Sequence, residues 1–245
     1  MDLNSDMGES FGVWRMGDDE ALVKIVTSAN VACGFHAGDP AGMMRTVAAA
    51  VSAGVHVGAH VSYPDLVGFG RRKMGVSPDQ VRSDTLYQLG GLEAICRAQG
   101  TRVRYVKPHG ALYHALGSDP GVADALFEAV AAFDPSLPVV VPSGLSWPRS
   151  DLRLVPEAFA DRSYESDGRL VERSVPGAVL TDIAEVAARA ARLASEGVVM
   201  AVDGRELRLH AETICVHGDT PAAVSMAQAV RSAMESRGVA VRPFC

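Results

Sequence analysis

The chain has 245 residues, with 23 lysines and arginines against 29 aspartates and glutamates, which gives a formal net charge of −6. A chain of this length buries roughly 70–75% of the surface that its unfolded form exposes, so folding requires neither disulfides nor a structural metal. Its 48% hydrophobic and 21% charged residues exclude a disordered or fibrous protein. The acidic balance argues against a nucleic-acid-binding protein, which needs a basic face. We expect one soluble domain over residues 1–245, with neither nucleic-acid nor membrane partners.

The cysteines and the first residues indicate the cellular compartment. The four cysteines are widely spaced and form no C-x-x-C motif, which favours free thiols in a reducing cytoplasm. The chain begins MDLNSD, which is acidic from the second residue and unlike a secretory signal. We therefore expect a cytoplasmic protein.

Short apolar runs alternate with helical periodicity along most of the chain. Strands are predicted at residues 1–4, 28–34, 56–60, 102–107, 138–141, 155–160, 198–202 and 211–216. Four helices are predicted where a capping residue precedes proline, which suits the first helical position, and the helix over 181–195 is predicted from a cap at Thr181 or Asp182. They cover residues 39–51, 77–98, 118–132 and 181–195, and a last helix begins at Thr220-Pro221 and ends near residue 237.

Strands that alternate with helices predict an α/β fold in which helices cover a parallel sheet. An open doubly wound sheet and a closed barrel both fit this order, and the length matches the ~250 residues typical of a barrel. Polar clusters follow most of the predicted strands, whereas an open sheet concentrates its ligands at one switch point. We predict a (β/α) barrel of seven or eight parallel strands, in which residues 198–209 form either a strand or a hairpin.

The first two strands are followed by candidate site residues. Asn4, Asp6 and Glu9 come within six positions, and two carboxylates so close could bind a cation, divide acid and base roles, or merely cap a turn. His36 lies between glycines that permit tight turns. Asp39 is expected to cap the following helix and also to face the cleft.

The third and fourth strands end in histidine and lysine. His60 closes one strand, and His56 on the same strand face is expected to be a buried, hydrogen-bonded core residue. Lys107 and His109 lie in the segment VKPHG. A lysine at the end of an apolar strand is costly to bury without an anionic partner or a depressed pKa. Such a pair could polarise a carbonyl, hold a phosphate or relay protons.

The second half of the chain adds two charged pairs and a hairpin. Asp161 and Arg162 form an opposite-charge pair after one strand, and His217 follows the last strand in the segment HGD. Residues 163–173 contain an Asp-Gly turn and are predicted to form a hairpin on the rim of the barrel.

A basic, glycine-rich segment at residues 68–73 contains Arg71 and Arg72. It could clamp a phosphate or carboxylate as a lid, or could be an ordinary solvated loop. Neither a P-loop nor a G-x-G-x-x-G motif occurs in the sequence, so any nucleotide would be held in another way. The sequence also lacks H-E-x-x-H and paired cysteines. An open metal site from Asp6, His36 and His60, joined by His109, would be compatible with divalent-metal hydrolysis.

Seven motifs distributed over the chain carry a family resemblance. They are DLNSDMGE at 2–9, SANVACGFHAGD at 28–39, GAH at 58–60 with YPD at 63–65, FGR at 69–71, VKPHG at 106–110, FADR at 159–162 and VHGD at 216–219. Together they resemble the LamB/YcsF lactam-utilisation family over nearly the whole chain. The departures are Val61, where proline is expected, and His114, where asparagine is expected, and neither removes a candidate catalytic group.

The resemblance implies a barrel related to those of glycoside hydrolases and deacetylases. It also implies a hydrolase acting on a cyclic amide, which opens 5-oxo-L-proline to L-glutamate with ATP as co-substrate. Mg²⁺ or another divalent metal is a candidate cofactor. Such a protein acts together with partner subunits B and C of a 5-oxoprolinase, and its homo-oligomeric state is left open.

From the motifs we expect two sets of site residues. The catalytic set is Asp6, His60, Lys107, His109 and Asp161, and the substrate-binding set is Asn4, Glu9, His36, Asp39, Arg71, Arg162 and His217. ATP would phosphorylate the amide oxygen, Lys107 and the Arg71–Arg72 loop would neutralise phosphate, and Asp6, His60 or His109 would activate water. One alternative is a metal-dependent amide or deacetylase-type hydrolase that needs no ATP. Another is a non-catalytic subunit that presents the lactam and carries an exposed apolar patch.

Overall fold

The computed structural model describes residues 1–145, 147, 151–219 and 222–245, and it contains a closed barrel of parallel strands. The strands in chain order are β1 (Asp2–Met7), β2 (Ser28–Ala32), β3 (His56–His60), β4 (Tyr105–Val106), β5 (Val139–Pro142), β6 (Leu154–Phe159), β7 (Val198–Met200), β8 (Glu206–Arg208) and β9 (Thr213–Cys215). The barrel order is β1-β2-β3-β4-β5-β6-β9, and it closes because β1 pairs with both β2 and β9. The predicted (β/α) barrel is confirmed, with seven strands.

Helices surround the barrel, as the sequence predicts. They are α1 (Asp19–Leu22), α2 (Pro40–Ala53), α3 (Pro78–Ala98), α4 (Gly110–Leu116), α5 (Pro120–Phe133), α6 (Ile183–Glu196) and α7 (Ala223–Ser236). The predicted caps are confirmed, since Asp39 accepts from the Gly42 N–H at 2.8 Å and Ser77 from the Gln80 N–H at 3.2 Å. The predicted start of the last helix, Thr220-Pro221, lies outside the described residues.

No helix in the described part of the chain is both long enough and apolar enough to cross a membrane.

Two predicted hairpins lie outside the barrel sheet. β7 and β8 pair antiparallel with each other, with Val199 opposite Leu207, so residues 198–209 form the hairpin and not an eighth barrel strand. Residues 163–173 also reverse, because Tyr164 and Leu170 form an antiparallel bridge around the Asp-Gly turn. This second loop, called the rim hairpin below, contributes residues 170–174 to the mouth of the barrel.

β1 extends beyond its predicted end, and this changes the position of residues in the site. β1 continues to Met7, so Asp6, which was predicted to follow the strand, lies within it together with Asn4. Leu3 and Met7 pack in the main apolar core, while Asn4 and Asp6 bond inside the barrel. An alternating apolar and polar strand sorts its side chains between the two faces in this way.

The barrel interior narrows at its amino-terminal end around Tyr105. A Cβ on Gly58 would lie 2.1 Å from the Tyr105 ring, so the glycine lets this ring cross the barrel and donate to the Asn30 Oδ1 at 2.6 Å. The prediction that His56 is a buried core residue is wrong. It is half-buried, with Nδ1 3.6 Å from the Cys245 Sγ, because it lies at the barrel end that the carboxyl-terminal segment only partly covers.

Candidate active site

A hydrogen-bonded polar network fills the barrel where an aliphatic core would be usual. The Asn4 Nδ2 donates to the Glu157 Oε1 at 3.0 Å and to the Thr213 Oγ1 at 2.6 Å. The Asn30 Nδ2 donates to the Asn4 Oδ1 at 2.7 Å and the Asp6 Oδ1 at 2.8 Å. Because buried polar groups are stable only when they are paired, the network fixes the positions of the Asp6 and Glu157 carboxylates.

Lys107 lies at the centre of this network. Its Nζ is 3.0 Å from the Asp6 Oδ1, 2.9 Å from the Glu157 Oε1 and 3.2 Å from the Cys215 Sγ. Burial would lower the pKa of Lys107, but the facing carboxylates outweigh it and raise that pKa well above its ordinary value. The ammonium charge is therefore already balanced inside the protein, which argues against the predicted role of neutralising phosphate.

His60 and His109 form a direct imidazole pair above Lys107. The His60 Nδ1 lies 2.9 Å from the Lys107 carbonyl and the His109 Nε2 lies 2.9 Å from the Phe69 carbonyl, so both of these nitrogens must carry hydrogen. The remaining nitrogens, His60 Nε2 and His109 Nδ1, face each other at 2.9 Å. Two lone pairs repel at that distance, so a further proton or a cation must lie between them.

Asp6 and Glu9 flank this pair with opposite proton affinities. Burial would raise the pKa of Asp6, but His60, whose Nε2 is 3.3 Å away, and Lys107 hold it well below its usual range. Burial and the charges of Asp6 and Asp219 raise the pKa of Glu9 well above its usual range. Two carboxylates pushed apart in this way are suited to separate acid and base roles.

His36 completes the histidine cluster, which we define as Glu9, His36, His60 and His109. The His36 ring is fully buried, stacks on His109 with 3.8 Å between ring centroids, and places its Nε2 3.1 Å from the Glu9 Oε1. Burial and the His60 charge lower the pKa of His36 well below its ordinary value. Gly70, at φ +65°, allows the close packing, since a Cβ there would lie 2.8 Å from the Cβ of His36.

The histidine cluster also fits a divalent metal. One atom from each side chain lies within 4.8 Å of the others. Tetrahedral ligands at about 2.0–2.2 Å from zinc lie roughly 3.3 Å apart, close to the 2.9 Å and 3.1 Å contacts here. Backbone carbonyls orient His60 and His109 from behind, as second-shell acceptors do in metal sites. Compared with the predicted metal set, Asp6, His36 and His60 joined by His109, this cluster has Glu9 in place of Asp6.

The sequence suggests that Asp161 pairs with Arg162. In the structure Asp161 pairs instead with His217 across the mouth. The His217 Nδ1 lies 2.9 Å from the Asp161 Oδ2, and its backbone N–H donates to the same atom at 3.3 Å. Burial would raise the pKa of Asp161, but His217 holds it below the usual range. The Arg162 guanidinium donates to the Ala178 carbonyl at 3.2 Å and to the Val171 carbonyl at 2.6 Å, which anchors the rim hairpin.

A cavity of about 330 Å³, the catalytic cavity below, opens above these groups and exposes Asp6, His60, Lys107, His109 and His217 at its floor. Its walls include Arg71 and Arg173, so it is suited to an anionic ligand. The two arginines of the predicted basic loop point to different partners here. Arg71 stays at the cavity and pairs with Asp219 at 2.6 Å, whereas Arg72 turns to Asp65 with its Nε 2.9 Å from the Oδ1.

Two further predicted residues lie away from the floor of the cavity. The Asp39 carboxylate accepts from the Gly42 N–H and, at 2.9 Å, from the Gly12 N–H, so its observed contacts are those of a cap. Asn4 lies below Lys107 in the polar network, and its Oδ1 is 3.1 Å from the Nζ. The structure therefore gives Asn4 a positioning role, while Asp6, Glu9, His36, His60, His109, Asp161 and His217 surround the mouth.

Sequence reasoning missed Glu157, Tyr113 and Arg173. Glu157 had a detectable signal, because a carboxylate at an inward position of the apolar run LVPEAF requires a cationic partner. Tyr113 and Arg173 had none, since α4 and the rim hairpin become part of the mouth only through packing.

Comparison with protein families then assigns the chain. The LamB/YcsF family model matches residues 1–245. The chain belongs to the LamB/YcsF family. It is 56% identical over 248 residues to the A-type subunit of 5-oxoprolinase from Kocuria rhizophila, covering 100% of this chain and 98% of the relative. The corresponding protein of Mycobacterium avium is 54% identical over 249 residues and covers 100% and 99%.

Solved structures agree with this family assignment and with the fold. A lactam utilization protein from Thermus thermophilus is 47% identical, with a TM-score of 0.91 over 99% of both chains. A family 4 carbohydrate esterase from Streptomyces lividans is only 13% identical, with a TM-score of 0.55 over 100% of this chain and 92% of the esterase. The second likeness concerns the barrel fold alone.

Proposed function

We propose that this LamB/YcsF protein is the subunit of an ATP-dependent 5-oxoprolinase that opens 5-oxo-L-proline to L-glutamate. The names of relatives that match over the full chain support the substrate. The observation that carries the proposal is the chain of contacts Asp6–His60–His109 at the floor of a basic cavity. It places a base and its orienting carboxylate where a small anionic substrate can enter.

The lactam is a stable amide, so hydrolysis needs activation. Transfer of the γ-phosphoryl group of ATP to the lactam oxygen would release ADP and leave an electrophilic ring carbon for water. Arg71 and Arg173 would hold the anionic groups, a role that the buried and already paired Lys107 does not fit. Lys107 instead keeps Asp6 ionised and in position.

The carboxyl groups of Asp6 and Glu9 and the His60–His109 pair control proton transfer. We infer that the attacking water enters between His60 and His109 and breaks their direct contact. The freed His109 Nδ1 then accepts a proton from this water, while ionised Asp6, 3.3 Å from the His60 Nε2, stabilises the positive charge on His60. His109 would return that proton to the departing ring nitrogen, while Glu9, neutral because of its raised pKa, adds no second negative charge beside Asp6. Breaking the ring C–N bond then yields the free amine of glutamate, and a second water removes the phosphate.

Partner subunits would bind beside the mouth. Val13, Trp14 and Val67 are 89%, 69% and 91% exposed, and Trp14 and Val67 border a cavity shared with Glu9 and His36. Exposed apolar groups in one place mark interaction surfaces. We propose that one of the partner subunits B and C covers this patch, seals the histidine cluster from water and contributes to ATP binding.

The test is glutamate release from 5-oxo-L-proline by the purified chain, with and without ATP and Mg²⁺, and then with subunits B and C added. Turnover that requires ATP and all three subunits is the expected result. Turnover by the chain alone without ATP would contradict the proposal. Lactam binding by this chain, together with three-subunit turnover that is unchanged in His109→Gln, would leave this chain as a non-catalytic carrier.

A second candidate, metal-dependent amide hydrolysis, is favoured by the histidine cluster. A metal held by Glu9, His36, His60 and His109 would activate water or polarise the amide. Metal analysis of the purified chain by mass spectrometry decides between proton and metal. About one equivalent in the wild type, lost in His36→Ala and retained in His210→Ala at an exposed position, would support the metal. No metal at saturating zinc would leave a shared proton between His60 and His109.

A further inference from the structure

A second cavity, of about 240 Å³, adjoins the catalytic cavity and shares Tyr113, His114, Phe159 and Leu170 with it. It lies between α4, the end of β5, the last residues of β6 and the rim hairpin. Pro142, Leu145 and the shared residues give it largely apolar walls. The mechanism above leaves this side cavity unused.

Three polar atoms in the side cavity are buried without a partner. They are the Glu157 Oε2, the Tyr113 hydroxyl and the Ser143 Oγ, in residues that are 1%, 4% and 4% exposed. None of them meets the distance and angle of a hydrogen bond with any group among the described residues, although the Tyr113 hydroxyl lies close enough to Glu157 for that contact to help raise the pKa of Tyr113. Leaving a buried polar group unpaired destabilises a fold, so three at one cavity indicate a ligand that completes them.

The three atoms differ in what they offer a ligand. The other oxygen of Glu157 is bound by the Lys107 Nζ at 2.9 Å and by the Asn4 Nδ2 at 3.0 Å, so its Oε2 remains as a fixed acceptor. Burial and the nearby Glu157 raise the pKa of Tyr113 well above its ordinary value, so its hydroxyl keeps its proton. Tyr113 and Ser143 therefore offer donors beside one acceptor.

We propose that the side cavity binds the amide edge of the lactam, with the Glu157 Oε2 accepting the ring N–H and the Tyr113 and Ser143 hydroxyls donating to substrate oxygens. A five-membered lactam is a cis amide, so its N–H and C=O lie on one edge and match an acceptor beside donors. Tyr113 borders both cavities, which directs the ring carbonyl towards His60 and His109. The proposal rests on the proposed function and names its substrate subsite.

Hydroxyl deletions test the donors. Tyr113→Phe and Ser143→Ala each remove one unpartnered hydroxyl, and Ser62→Ala is the matched control. The Ser62 Oγ is equally buried and unpartnered among the described residues, but it lines neither cavity. Titration calorimetry with 5-oxo-L-proline, with and without subunits B and C, is expected to show about tenfold weaker binding for the first two variants only. The ligand-free thermal midpoint is expected not to fall in any of the three, because no hydrogen bond is lost.

A substrate analogue tests the acceptor without disturbing the buried charges. In 3-oxocyclopentane-1-carboxylate a CH₂ replaces the ring N–H at nearly the same size. We expect it to bind the wild type at least about tenfold more weakly than 5-oxo-L-proline, since the Glu157 Oε2 then stays unpaired. Equal binding of the two compounds would overturn the role of Glu157.

The outcomes separate this subsite from the proposed function. If Tyr113→Phe and Ser143→Ala bind 5-oxo-L-proline as Ser62→Ala does while the three-subunit enzyme turns over, the subsite is wrong and the function stands. If they bind it more weakly but ATP-dependent turnover never occurs, the subsite stands and the function fails. If the wild type binds no 5-oxo-L-proline with or without its partners, both are overturned.

Discussion

The two ends of the barrel contain similar polar residues that differ in their hydrogen bonding. Below, the floor is the amino-terminal end of the barrel around Asp2 and Tyr105, and the mouth is the opposite end. At the floor, Asp2 accepts from the hydroxyls of Thr27, Ser28 and Thr213, and Tyr105 donates to Asn30. At the mouth, the His36 Nδ1, the Tyr113 hydroxyl, the Ser143 Oγ and the Glu157 Oε2 have no partner among the described residues. A paired network specifies the structure, whereas unpaired buried atoms that line a cavity offer hydrogen bonds that a ligand can complete.

Two aspartates on β1 show the same contrast in charge. Burial outweighs the hydroxyl hydrogen bonds at Asp2 and raises its pKa, whereas His60 and Lys107 overcome burial at Asp6 and lower its pKa. Hydroxyl donors therefore hold a carboxyl group in place, but only cations keep it reliably ionised in the interior. Changes at the floor are expected to alter stability alone, whereas changes at the mouth are expected to alter activity as well as stability.

The largest expected effect is on activity at the mouth. His109→Gln removes the imidazole that faces His60 and is expected to lower kcat about 10²- to 10⁴-fold in the three-subunit enzyme. Steady-state kinetics measures it, with His210→Gln at an exposed position as the control. A wild-type kcat in His109→Gln would show that His109 is not the proton acceptor of the mechanism.

The largest expected effect on stability comes from Lys107, which lies between the floor and the mouth of the barrel. Lys107→Met leaves the buried carboxylates of Asp6 and Glu157 without their cation, and the free energy of unfolding is expected to fall by about 3–5 kcal/mol. Urea denaturation measures it. The exposed Lys73→Met is expected to change stability by less than about 0.5 kcal/mol. An equally small change at Lys107 would contradict the balanced-charge interpretation.

Asp161 adds a pH-dependent effect at the mouth. Because its folded pKa lies below the unfolded value of about 3.9, its pairing with His217 stabilises the fold above that pH and is lost as pH falls through the folded pKa. Asp161→Asn is expected to be about 1.5–3 kcal/mol less stable than the wild type at pH 7. The difference should shrink below about pH 4. Urea denaturation from pH 2 to 7 measures this, and a constant difference would contradict it; Asp124→Asn on the exposed face of α5 is the control.

The smallest expected effect lies at the floor. Tyr105→Phe removes one hydroxyl that donates to Asn30, and the free energy of unfolding is expected to fall by about 1 kcal/mol with kcat unchanged. Denaturation and kinetics on the same preparation measure both quantities. Reduced kcat with unchanged stability would place Tyr105 in the catalytic machinery and break the contrast between floor and mouth.

The barrel was predictable because its signals are local. Apolar runs, helix caps such as Ser77 and the alternation of strand with helix depend on neighbouring residues, and the closed barrel followed from the polar clusters after successive strands. The number of strands was not predictable, since the short apolar run of β7 pairs with β8 and not with the barrel.

The sequence by itself determined the barrel, the family motifs and most of the residues at the mouth, since each motif follows a strand and parallel strands end together. Only the tertiary structure decided their partners. It paired Asp161 with His217 and enclosed Lys107 between Asp6 and Glu157. It also left Glu157 with one free oxygen facing a second cavity. These hydrogen bonds and charge pairs join residues that are 50 to 101 positions apart, and no local pattern records which of several compatible partners will lie within 3 Å.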